Sequence, residues 1–177
     1  MPATPPRVAL YVAAVSALGV AALAGSASVR IPVDYKVVVV LAALCVIGTQ
    51  AKVRRLAKDA DLSFNSIVQL AALALTGPLG AMLVGTAPWL MELRRVKWPT
   101  RIFNTAMMSV VTAAAALAYY AAGGRWSAHP VADASSILLE IALPLMVANV
   151  VQCIVNAAIL AGPRGAILSI ELSAKCR

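Results

Sequence analysis

The 177 residues are 62 % hydrophobic and 12 % charged, with a net charge of +8, where soluble domains run at roughly 45–50 % and about 25 %. A chain this apolar cannot hide its side chains in one water-facing core, which excludes an ordinary soluble domain and leaves an integral membrane protein. Its Lys and Arg stand in short clusters between apolar runs, without an aromatic-rich polar surface, so they point to membrane topology and anionic lipid rather than nucleic acid.

The first apolar run, 8–29, follows a short tail at 1–7 and ends in Ala-Gly-Ser-Ala, which imitates a signal peptide. At about 22 residues it is long enough to cross about 30 Å of hydrocarbon, and it reads as an uncleaved first span. The turn "VRIPVDYK" (29–36), broken by Pro32, leads to a second run at 37–51. The basic linker "KVRRLAK" (52–58) closes it.

No charge stands between Asp61 and Glu92. The apolar stretch there divides at Gly77-Pro78 into 64–77 and 79–91, each shorter than the roughly 17–25 residues of a spanning helix. A single straight helix would put "KVRRLAK" and "RRVKWPTR" (94–101), four basic residues each, on opposite faces of the membrane, against the positive-inside rule. A reversal at Gly77-Pro78 puts both on one face. With six passes and the N-terminus inside, twelve of the fifteen basic residues are cytoplasmic, and only Arg30, Lys36 and Arg125 are not. Pro78 lacks an N–H and Gly77 tolerates unusual backbone angles, while Gly80, Ala81 and Gly85 let other helices approach and cover the turn. The hairpin is expected inside the bundle, because loose carbonyls at membrane depth must be buried in protein.

A fifth run follows at 102–122, with Gly123-Gly124 ending its helix, then the loop "AGGRWSAHPVADASS" (122–136) and a sixth run at 136–162. Trp89, Trp98 and Trp126 fall at interface depth. Residues 163–177 read as a short cytoplasmic tail. The fold class is therefore all-α, a polytopic bundle of about six transmembrane helices that includes a Gly-Pro-broken hairpin at 64–91. The membrane domain is 8–162, in a bacterial inner membrane with both termini inside.

Polar residues in such a bundle must face its interior or water. Asn149, Gln152 and Asn156 share one helical face, Asn65 and Gln69 share another, and the fifth run adds Asn104, Thr105, Ser109 and Thr112. These residues suit either a polar pocket for a small ligand between the third, fifth and sixth segments, or hydrogen bonding that holds the helices together. Glu140, four residues past Ser136, is either a ligand contact or an acid at a helix end beside Asp133. His129 is the lone histidine, and Cys45, Cys153 and Cys176 have no metal-ligand spacing, so no metal or other cofactor is expected. No catalytic motif falls on a suitable element, and no catalytic residue is assigned.

Three stretches, "SFNSIVQLAALALTGPLGAMLVG" (63–85), "RIFNTAMMSVV" (101–111) and "VANVVQCIVNAAILAG" (147–162), together resemble the multi-helix membrane region ahead of cytoplasmic HD-type phosphohydrolase or GGDEF domains in actinobacteria and related bacteria. The matching features are Gly77-Pro78, Phe103-Asn104 and Asn156. After Phe-Asn the family often reads Ala-Ala-Gln, where this chain has Thr105-Ala106-Met107. The resemblance implies a sensory or anchoring module that serves a cytoplasmic effector and lacks the catalytic domain, embedded in the lipid bilayer as its main partner. The small-residue, short-helix design is also similar to substrate-binding membrane subunits of vitamin importers. A purely structural anchor is the third reading.

Overall fold

The computed structural model describes residues 6–29, 33–55, 64–91, 98–125 and 138–175. They form α1 (Pro6–Ser28), α2 (Tyr35–Arg55), α3 (Phe64–Met91), α4 (Trp98–Ala121) and α5 (Leu143–Lys175), the last preceded by a π-helical turn, Leu138–Ala142. There is no strand among the described residues. Four stretches, in α1, α3, α4 and around α5, are long and apolar enough to cross a membrane, whereas the apolar part of α2, Tyr35–Thr49, is shorter. The protein is an all-helical membrane protein.

The described helices number five with the two arms of α3, 64–77 and 79–91, taken together, and six with the arms taken apart at the break in the helical backbone. Gly77 has φ 73° and ψ −172°, a combination essentially confined to glycine. The chain doubles back there. Gln69 and Gly85, eight residues to either side, lie so close that a Cβ on Gly85 would strike the Gln69 carboxamide; a continuous helix would hold them about 24 Å apart. Each arm is about 20 Å long, and Gly77 and Pro78 are buried at the tip.

Around the hairpin the directions are fixed by contacts. Asn65 meets α2 at Thr49, while Gly80 faces Val38 at the other end of α2, so α2 and the first arm are antiparallel. Tyr11 of α1 packs on Phe103 near the start of α4, ring centroids 6.3 Å apart, and bonds to Ile159, well along α5. One end of the bundle therefore gathers the start of α1, the end of α2, both ends of α3 and the start of α4. The central core, with Ala72, Leu73, Ala81, Val84, Ala115, Tyr119 and Ala148, joins the hairpin to α2, α4 and α5.

Two prolines explain two long-range ties. Pro144 has no N–H to give the carbonyl four residues back, and that carbonyl, Glu140 O, accepts the Arg125 N–H at 3.4 Å, beside the Tyr119 hydroxyl that donates to Arg125 O at 2.8 Å. Pro163 leaves Ile159 O free in the same way, and the Tyr11 hydroxyl donates to it at 2.6 Å. The expected tail at 163–177 does not begin as a separate segment, because α5 continues through Pro163 to Lys175. At the end of α4, Gly123 (φ 85°) and Gly124 donate to the carbonyls of Tyr120 and Tyr119 and close the helix.

Candidate functional site

Five hydroxyl side chains at helical positions satisfy themselves. Thr49, Thr76, Thr86, Ser109 and Thr112 each donate to the carbonyl four residues earlier. This leaves their oxygens as acceptors for a neighbouring helix, and two amides use them.

The first amide site is at the centre of the bundle. Gln152 Nε2 of α5 donates to Gln69 Oε1 of α3 at 3.0 Å, Gln69 Nε2 donates to Thr112 Oγ1 of α4, and Thr112 donates to Met108 O at 2.7 Å. Both glutamines are buried, at 3 % and 5 % exposure, so three helices are joined by one directed chain away from water. Gly85 gives Gln69 its room, since any larger residue there would occupy the space of the amide. The elements are those expected for a polar site between the third, fifth and sixth segments, and Gln152 Oε1 is left buried there without a hydrogen-bond partner.

The second amide site lies at the end of the bundle where the first arm begins. Asn65 Nδ2 donates to Thr49 Oγ1 at 2.7 Å, and the Cys45 thiol points to Asn65 O at 3.9 Å. The other sequence candidates are dispersed. Asn104 of α4 is half-buried, as are Asn149 and Asn156 of α5, whose innermost stripe passes through Pro144, Ala148 and Gln152. Glu140 stands at the opposite end of the bundle, 3.8 Å from the exposed Arg125 guanidinium, which is the arrangement of an acid at a helix end. Trp126, His129, Asp133 and Cys176 lie outside the described residues, as do the side chains of the basic linkers at 52–58 and 94–97. Among the described residues no three His, Cys, Asp or Glu side chains come together as a metal site.

An open groove of about 270 Å³ lies between α1 and α4, and it was not anticipated from the sequence. Its floor is the close approach of Gly19 to Ala106, where a Cβ on Gly19 would stand 2.6 Å from the Ala106 Cα. Val20, Leu23, Leu90 and Ile102 form apolar walls. Ser16, Thr105 and Ser109 bring hydroxyls, and the Ser16 Oγ is buried without a hydrogen-bond partner. At the start of α4 the groove reaches Arg101, which is 4 % exposed and has its guanidinium carbon 5.8 Å from the Trp98 ring centroid. The sequence signal was Arg101 itself, the last member of the second basic cluster and the one set inside an apolar helix.

No family model matches the chain, and no curated protein or solved structure matches it either.

Proposed function

We propose that this chain is a sensor or anchor module of a bacterial cell membrane, with both termini in the cytoplasm and no catalysis of its own. The observation that supports this most is the reversal at Gly77, which brings the ends of α2 and α3 and the start of α4 to one end of the bundle. Both basic linkers attach at that end, so a cytoplasmic assignment satisfies the positive-inside rule for each. Six passes follow if the hairpin counts as two. The effector is then a cytoplasmic domain or protein that meets the same basic end, as the resemblance to HD- and GGDEF-associated membrane regions implies.

Signalling in such a module is a population shift. A small ligand or lipid that binds one arrangement of the helices better than another changes the bundle by its differential affinity and no more. The α1–α4 groove is the place for it, since it opens beside the exposed Val20 of α1.

The test is labelling with a membrane-impermeant maleimide in whole cells, using Arg55→Cys and Arg95→Cys separately in a background without native cysteines. Both positions should be silent until the cells are opened. Reaction from outside at either one would overturn the topology, and with it the cytoplasmic effector.

A further inference from the structure

We infer that a second copy of this chain packs on the outer flank of α5, making a parallel two-fold dimer in which Asn149 and Asn156 each bond to their own counterpart. This goes beyond the module reading and does not depend on which end of the bundle is cytoplasmic. Three observations on one helix face carry it.

The first is a pair of amides without partners. Asn149 and Asn156 are half-buried, and neither side chain has a hydrogen-bond partner among the described residues. In the apolar span Leu139–Gly162, Asn149 lies about 15 Å from the start and Asn156 about 9 Å from the end, at roughly 1.5 Å per residue. Both amides stand at hydrocarbon depth, where lipid offers them no bond and such side chains pair across helices. The second is their spacing. They are one heptad apart, and with Met146, Cys153 and Leu160 they make a stripe with alternating steps of three and four residues. Met146, Cys153 and Leu160 are all exposed. Asn149 and Cys153 each follow a buried residue, Ala148 and Gln152, by one position, about 100° round the helix, so this stripe is not the face that meets α3. Steps of three and four keep a stripe facing a parallel partner helix along a left-handed crossing. The third is self-complementarity. Every copy inserts in the same orientation, so a two-fold axis runs along the membrane normal and sets each residue of α5 level with its own counterpart. A carboxamide carries both donor and acceptor, and two identical ones bond reciprocally. A different partner would need polar groups at both depths; a second copy has them by symmetry.

The experiment uses the full chain, carrying Cys176→Ser, in phosphatidylcholine vesicles. Oxidation with copper phenanthroline should join two chains through the native Cys153. Moving the thiol by one position, with Cys153→Ala and Ile154→Cys, turns it about 100° away from the stripe and should lower the cross-linked fraction about tenfold. Energy transfer between fluorophores on the N-terminus, followed as the chain is diluted with lipid, gives the dissociation constant of the pair. Asn149→Leu or Asn156→Leu should weaken pairing about threefold, and the double variant about tenfold, the scale of polar contacts between membrane helices. Leucine suits a face turned to lipid, so these variants keep the fold, and Asn149→Gln, which retains the amide, should stay close to wild type. A chain that is monomeric at every dilution, equal cross-linking from positions 153 and 154, or a double leucine variant that pairs as tightly as wild type would overturn the inference.

Discussion

The α3 hairpin and α1 are almost equally apolar, yet 61 % of the one and 11 % of the other is buried inside the bundle. Hydropathy puts both in the membrane and does not say which is central. In lipid there is no gain from hiding one leucine behind another, so the inner place goes to the segment with close-packing residues and polar groups that need partners. The hairpin has both: Gly77, Gly80, Ala81 and Gly85, with Gln69 and Thr76 among them. Helix α1 is held by Gly19 on Ala106 and by Tyr11 against Gly162, and presents Leu10, Leu18 and Val20 outward.

Substitutions graded from the hairpin tip to the outside of α1 sharpen this contrast, read as unfolding free energy in detergent micelles. Gly77→Val should cost most, about 3 kcal/mol, because a β-branched residue must hold a backbone conformation that only glycine adopts freely. Gln69→Leu should follow at about 2 kcal/mol, since it removes two hydrogen bonds and strands the Gln152 amide in the core. Tyr11→Phe should cost about 1 kcal/mol by leaving the carbonyl that Pro163 frees without its donor. Leu18→Ala, on a residue 59 % exposed, should stay within about 0.5 kcal/mol. If Leu18→Ala proves as harmful as Gln69→Leu, α1 is not peripheral and the contrast fails.

Much of the fold was legible because its signals are local or additive. Membrane residence follows from composition, and the reversal from Gly77-Pro78 with two basic linkers that could not be parted. The partners of the amides were not legible. Sequence spacing put Asn149, Gln152 and Asn156 on one face, but spacing does not say which of them points inward, and of the three Gln152 is the buried one that bonds to Gln69. The tyrosine ties were hidden for another reason. Each proline announces a freed carbonyl, but Tyr11 lies 148 residues from Ile159, and no periodicity links them. The groove was not legible because it depends on which helix α1 packs against, and nothing local to Gly19 names Ala106 as its neighbour.

The shortness of the hairpin arms bears on biogenesis. An arm of about 20 Å cannot be left in the bilayer by itself, for its tip would hold unpaired backbone groups in hydrocarbon. The two arms must enter together, and they find shelter only where α2 is already waiting and α4 soon arrives. Residues 64–91 are thus the part of the chain whose insertion depends on the order of synthesis, and a ribosome pause just after position 91 would leave its tip covered on one side only.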